Sequence, residues 1–466
     1  MRTNPIGCGP AVPPDEISRN TSPPAGTDSG RVAGGTPAPL GWMASVLFLS
    51  LLAQVEAANW PGFRNDGSGI AAEKSAPLKW SATENVRWRT ALPDKGNASP
   101  IVWGDKVFIT QAEGPKRTVM CFDRTNGKLL WQQGVNYAEK DDTHGTNPHA
   151  SATPVTDGER VMAWFGSAGV VAYDFAGKEL WRRDLGKQSH GWGYGSSPVI
   201  HGDLCILYFG PGPRSFLTAL DRKTGKTVWQ VDAPEKHPAE RFDGFAGKSD
   251  GVMGSWSTPL IVKRPQREEV VMTFANEMKG FDPKTGKELW KTDGLNPLLY
   301  TSPLAGEGYV VGLGGYFGSS VAVKMGGSGD LSAQKVWSVK REKRHLLSSG
   351  VIKDGHIFIS NTIGVSECRE LATGKQVWEE RLKATAANGE TWGSMILVGD
   401  KLYVVNQSGD TFVLRANPKQ FELLATNPLK EPCNTTPAVS NGELFIRTQQ
   451  SLWCISEQGA ERAALR

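Results

Sequence analysis

The sequence predicts an all-β fold, an eight-bladed β-propeller of four-stranded antiparallel blades, on three observations. First, a small hydroxyl residue, mostly followed by proline, opens an apolar run eight times: Ser99-Pro100, Thr153-Pro154, Ser197-Pro198, Thr258-Pro259, Ser302-Pro303 and Thr436-Pro437, with degenerate forms at Ser349-Gly350 and Ser394-Met395. Second, successive starts lie 54, 44, 61, 44, 47, 45 and 42 residues apart, the length of one blade with insertions in the longer steps. Third, most runs lead into an Asp-x-x-Thr-Gly-Lys-like turn and then a tryptophan. The clearest copies lie at 219–229 (ALDRKTGKTVW), 280–290 (GFDPKTGKELW), 121–131 (CFDRTNGKLLW), 172–181 (AYDFAGKELW) and 368–378 (CRELATGKQVW).

Each strand of the unit carries its own signal. Short alternating runs such as 106–110 (KVFIT), 356–360 (HIFIS) and 401–405 (KLYVV) each follow a Gly-Asp or Asp-Gly pair, residues that tolerate the positive φ of tight hairpins. No segment shows a strong 3.6-residue period, so helices are not expected. The Thr-Gly-Lys turn reverses the third strand into the fourth, and the tryptophan of that outer strand is placed to dock on the neighbouring blade. Trp131, Trp181, Trp229, Trp290, Trp337 and Trp378 are read this way, as structural residues. Burying one indole removes roughly 150–250 Å² from water, worth about 4–6 kcal/mol.

The last unit has runs at 443–447 (ELFIR) and 451–456 (SLWCIS) but no Gly-Lys turn and no outer tryptophan. A spare outer strand stands at the other end of the chain, opening on Asn85, closing on Thr90 and carrying Trp88. Pairing it with the last unit closes the ring and removes two exposed sheet edges.

Cys121, Cys368 and Cys454 occupy the repeat position held elsewhere by Ala172 and Ala219, which marks them as small core fillers. Cys205 and Cys433 belong to different units and Cys8 to the leader, so no structural disulfide is expected.

The 466 residues divide into three parts. Residues 1–41, rich in Pro, Gly and Ser, are expected to be a disordered leader or a mis-set start. Residues 42–57 contain the apolar run WMASVLFLSLLA and then Val55-Glu56-Ala57, which suits a signal peptide cleaved near Ala57 and is short for a membrane span. Residues 58–466 form a single domain. A formal charge of +4 on 52 basic and 48 acidic residues implies neither nucleic acid nor acidic membrane as a partner.

Function must lie in what the repeat does not require. From outer tryptophan to next hydroxyl start, the first three connections run 22, 16 and 29 residues, against 12 for the two after Trp290 and Trp337. They read DDTHGTNPHAS at 141–151, SHGWGYGS at 189–196 and RFDGFAGKSDGVMGSWS at 241–257. Five of the seven histidines (His144, His149, His190, His237 and His345) precede an inner strand. His144, His149, His190, Trp192, Tyr194, Trp256, Trp392 and Asn434 are the candidate residues of a polar, aromatic-walled mouth suited to a planar or sugar-like ligand. The bland alternative is that Gly-rich loops need such side chains as plugs. The sequence has no H-E-x-x-H, Walker lysine loop or C-x-x-C-H.

The Ala-x-Asp-x-x-Thr-Gly-Lys-x-x-Trp pattern resembles the tryptophan-docking motif of the pyrroloquinoline quinone (PQQ)-type propeller repeat, over about Trp60 to Ser456. That resemblance implies one of two functions. The first is a non-catalytic binding or scaffolding module like the BamB-type subunit of the outer-membrane assembly machinery: exported to the periplasm or cell envelope, monomeric, without cofactor or metal, and engaging a protein or saccharide partner. The alternative is a PQQ- and Ca²⁺-dependent dehydrogenase of alcohols or sugars, which needs a carboxylate and amide cage for Ca²⁺, a catalytic Asp and cationic groups on the quinone. Asp141, Asp142, Asp243, Asp250, Asn97 and Asn434 are available, but loop Asp and Asn are ordinary turn formers and no two cysteines are adjacent. The first reading is therefore the expected one.

Overall fold

A hydroxyl at the head of every inner strand and a tryptophan on nearly every outer strand fix the architecture. The structure, a computed structural model, describes residues 58–235, 237–238, 240–245, 247 and 252–457, all within the compact unit Glu56–Arg466. The leader, the apolar segment, Cys8 and Asp250 lie outside the described residues. The strands form eight antiparallel blades at 101–136, 155–183, 199–232, 260–293, 304–339, 351–381, 396–428 and 438–455. Blade eight takes its fourth strand from Val86–Ala91, which pairs with Ser451–Ile455 and closes the ring as expected. Among the described residues the only helical turns are the 3₁₀ segments Gly166–Ala168 and Ser332–Gln334. No helix there is long and apolar enough to cross a membrane.

The eight starts are joined by a closed circle of hydrogen bonds. The backbone N–H of each start donates to the hydroxyl of the next: Ser99 to Thr153, Thr153 to Ser197, Ser197 to Thr258, Thr258 to Ser302, Ser302 to Ser349, Ser349 to Ser394, Ser394 to Thr436 and Thr436 back to Ser99, all at 2.9–3.1 Å. These hydroxyls thus do more than open strands. Each replaces water for a buried amide that neither sheet ladder nor turn satisfies.

On the rim, the indole N–H groups of Trp88, Trp131, Trp181, Trp229, Trp337 and Trp378 donate to the backbone carbonyls of Arg124, Phe175, Arg222, Pro283, Leu371 and Asn417 in the following blade, at 2.7–3.0 Å. The turn glycine beneath the ring has φ near +70 to +86° at Gly127, Gly177, Gly225, Gly286 and Gly374, and a Cβ there would lie within 2.5–2.9 Å of the indole. The turn thus needs glycine for both conformation and space. Trp290 departs from the pattern: blade five lacks the Thr-Gly-Lys turn, so Trp290 donates within its own blade to Glu269 Oε2 at 2.5 Å, and Gly329–Asp330 pairs alongside it. Opposite each indole sits a small residue, Cys454, Cys121, Ala172, Ala219, Gly280, Ala322 or Cys368. The five described cysteines are free and buried.

One element has no counterpart in the repeat reading. Residues 58–80 cross the ring, bonding Trp60 to Val102 in blade one, Pro61 to Thr156 in blade two and Gly69 and Ala71 to Leu397 in blade seven. These partners lie three residues past their starts, towards the opposite end of the inner strands. Arg64, fully buried, donates from there to the carbonyls of Gly67 and Ser68 and, in blade six, Gly350. Burial without a carboxylate against it pulls its guanidinium down to about 10, with Asp66 opposing.

The two rings yield two expectations, both read in chemical melts. Replacing Trp229 by Ala should cost about 3–5 kcal/mol, and a loss below about 1 kcal/mol would sink the docking role. Replacing Ser302 by Ala leaves the buried Thr258 N–H without its acceptor and should cost about 1–3 kcal/mol, whereas Ser302→Thr should be nearly neutral.

Candidate functional site

Strand phase carries the hydroxyl ring upward into a wall. Residues two before a start face the same side as the start itself, and all eight line one cavity of about 470 Å³ on the axis: Asn97, Ser151, Gly195, Trp256, Tyr300, Leu347, Trp392 and Asn434. Six of the start hydroxyls lie in its wall and Phe63, from the crossing segment, reaches it from below. Above that level the loops add His144, Asn147, Trp192, Tyr316, His345 and Glu390.

The wall is held rigidly. Trp256 donates its indole N–H to Gly193 O at 2.9 Å and packs between Trp192, at 5.8 Å between centroids, and Tyr300, at 5.2 Å. Trp392 donates to Glu390 Oε2 at 3.0 Å. Gln407 donates to Asn434 Oδ1 at 2.8 Å, Asn434 donates to Asn97 Oδ1 at 3.3 Å, and Asn97 donates to Thr146 O at 2.8 Å, a row that fixes the amide orientations. Burial lowers the proton affinity of His345, opposed by Glu390, and that of His190, opposed by its bond to Met253 O.

Of the eight sequence candidates, His144, Trp192, Trp256, Trp392 and Asn434 line the cavity. The other three stand elsewhere. His190 sits edge-on to Trp256 at 5.0 Å and bonds Met253 O at 3.0 Å, supporting the wall from outside the lining. Tyr194 is buried, packs on Trp164 at 4.9 Å and donates its hydroxyl to His149 O. Burial is also the main cause of the lowered proton affinity of His149, with Arg117 adding to it. Tyr194 is therefore a core plug, because blades two and three leave a space under Gly166 that its ring fills, 2.7 Å from where a Cβ on Gly166 would sit. His345, one of the five histidines ahead of an inner strand, and Asn97, one of the loop amides available to a Ca²⁺ cage, also line the cavity. Tyr300, Tyr316, Glu390 and Phe63 were not singled out; for Tyr300 the signal is its place two residues before a start, and the other three carry none. The wall draws on every blade and is not confined to the three long connections.

An eight-bladed ring latched by outer tryptophans, with an aromatic and amide-walled axial cavity, defines a tryptophan-docking propeller. The chain belongs to the PQQ-type propeller family whose model, described as outer membrane protein assembly factor BamB, matches residues 70–211, 115–310 and 213–463. Among curated proteins it is 25% identical over 265 residues to a polyvinylalcohol dehydrogenase of Pseudomonas sp. and 28% identical over 213 residues to a quinohemoprotein alcohol dehydrogenase of Pseudomonas putida. These matches cover 50% and 41% of this chain, and only 40% and 28% of those proteins. Among solved structures, BamB from Moraxella catarrhalis superposes with TM-score 0.54 at 15% identity, covering 79% of this chain and 96% of that one. A europium-containing methanol dehydrogenase gives 0.61 at 11%, covering 86% and 98%. Both are likenesses of fold.

Beside the aromatic wall, Glu235 accepts from the Gly212 N–H at 3.2 Å and the Tyr208 hydroxyl at 3.3 Å. Burial raises its carboxyl to about 7, against the bonds to Gly212, Tyr208, Ser255 and Ser215 that favour the ionised form. Between the ordinary value of 4.5 and about 7 the folded chain holds a proton that the unfolded chain has released, so stability falls as pH rises through that window. Glu235→Gln should flatten that fall, with a relative gain at pH 8 of about 1–3 kcal/mol after allowing for partial solvent access. Urea midpoints at acid and alkaline pH check it; an unchanged pH dependence would refute the assignment.

Proposed function

We propose that this chain is an exported, non-catalytic binding module that engages a protein or saccharide partner through its axial cavity and the surrounding loops. The supporting observation is the donor set of the wall. A PQQ and Ca²⁺ site needs several hard oxygen ligands, an Asp base and cations for the quinone and its carboxylates. Among the described residues the lining offers one carboxylate, Glu390, already bonded to Trp392, and no Asp, Lys or Arg. Asp243 is paired with Arg241 at 2.7 Å and does not line the cavity. These residues do not fit the cofactor. The family model's description, an outer membrane assembly factor, accords with a binding role, and the apolar run at 42–53 supports export.

A second reading, a quinoprotein dehydrogenase, is favoured by the names of the curated relatives. Titrating the purified protein with PQQ plus Ca²⁺ and assaying dye reduction with alcohols and aldoses separates the two. No saturable PQQ binding and no turnover is the expected result; tight binding with turnover would overturn the proposal. Cell fractionation that recovered the protein in the cytoplasm would remove its export half.

A further inference from the structure

The axial wall is divided into two continuous arcs. Across blades eight, one and two the residues two before the starts are Asn434, Asn97 and Ser151, followed by the bare backbone of Gly195 in blade three. Across blades four to seven they are Trp256, Tyr300, Leu347 and Trp392. In a ring of eight these arcs face each other across the axis, so a ligand meets amides and a hydroxyl on one side and ring faces and edges on the other.

We propose that the cavity binds a neutral saccharide, with the C–H face of one sugar ring on the Trp256, Tyr300 and Trp392 side and its hydroxyls on Asn434, Asn97 and Glu390. This rests on the binding-module reading and names its ligand class. Three features select that class. Among the described residues an anion finds no Lys or Arg in the lining and meets the carboxylate of Glu390. A quaternary ammonium would suit the indoles but cannot use the amide row, where each Asn keeps a second N–H and a second acceptor lone pair beyond the bonds it already makes. A sugar hydroxyl is donor and acceptor at once, and matches such a row while the ring's axial C–H groups cover the indoles. The anchoring of Trp256 by Gly193 and of Trp392 by Glu390 means that little side-chain entropy is lost on binding.

Tryptophan fluorescence titration of the full chain tests this with glucose, galactose, xylose, N-acetylglucosamine and their methyl glycosides, and with glucuronate as the anionic counterpart of glucose. At least one neutral sugar is expected to saturate, with glucuronate at least about 10-fold weaker. Asn97→Ala and Asn434→Ala should each weaken the neutral sugar about 5-fold at an unchanged melting midpoint, and Glu390→Gln should narrow the glucuronate gap. Saturation by no neutral member of the set, glucuronate binding as well as glucose, or asparagine variants that fold and bind unaltered would each overturn the proposal. Failure of the sugars with PQQ also silent removes the ligand class alone. Sugar oxidation in the presence of PQQ would remove the non-catalytic reading and leave the ligand class standing.

Discussion

Everything on the axis of this protein depends on one repeated bond, the backbone N–H of each inner-strand start donating to the hydroxyl of the next. The inner strands of neighbouring blades share no sheet ladder, so the amide at the head of an inner strand has no partner of its own, and left bare it would cost about 1–3 kcal/mol. Ser or Thr in the neighbouring blade supplies an acceptor where adjacent inner strands begin. Because the circle returns from Thr436 to Ser99, every start is held at one height. The residues two before the starts are then held at one height too, and the wall of the cavity is a geometric consequence of the circle.

The outer tryptophans perform the complementary task at the rim, where blades diverge and the gap between them widens. An indole fills that gap, its N–H reaches the next turn, and a small residue opposite it, Cys, Ala or Gly, leaves it room. Trp290 tests this account: where the next blade lacks the turn, the indole stays buried but bonds Glu269 of its own blade, and the strand Gly329–Asp330 covers the flank. The three cysteines of this position are thereby explained without redox chemistry. Burial pushes the Cys121 and Cys368 thiols up to about 12, the behaviour of packing residues.

The ring was legible in the sequence because it is periodic. Blade number, the strand from the N-terminal end and six tryptophans bonded to the following blade are all read from the repeat, with Trp290 the one that bonds its own blade instead. The site was legible only in part, since loop length was the signal used, and length does not report direction. Tyr194 sits in an aromatic-rich connection yet turns into the core, while Tyr300 comes from a short one and faces the axis. Strand phase is the better guide: counting back two residues from each hydroxyl finds all eight wall positions. Residues 58–80 were beyond either method, because they occur once and have no repeat to betray them.

That unique segment changes what the axis is. With Trp60, Pro61, Gly69 and Ala71 bonded across blades one, two and seven, and Arg64 reaching blade six, the far end of the inner strands is bridged, and Phe63 stands under the hydroxyl circle. A buried guanidinium bonded only to carbonyls, with its Nε left without a partner, is a costly way to fill space. Its hydrogen bonds to a distant blade nonetheless fix the segment where apolar packing alone would let it slide. Above this floor, the hydroxyl circle runs through the starts, and none of its bonds uses a side chain two residues earlier. The circle therefore does not dictate Asn97, Trp256 or Trp392, and the chemistry of the wall is not set by the bonds that close the ring. A shared propeller therefore says little about a shared ligand, and the partition of this wall into an amide arc and an aromatic arc is information about binding that the fold does not require.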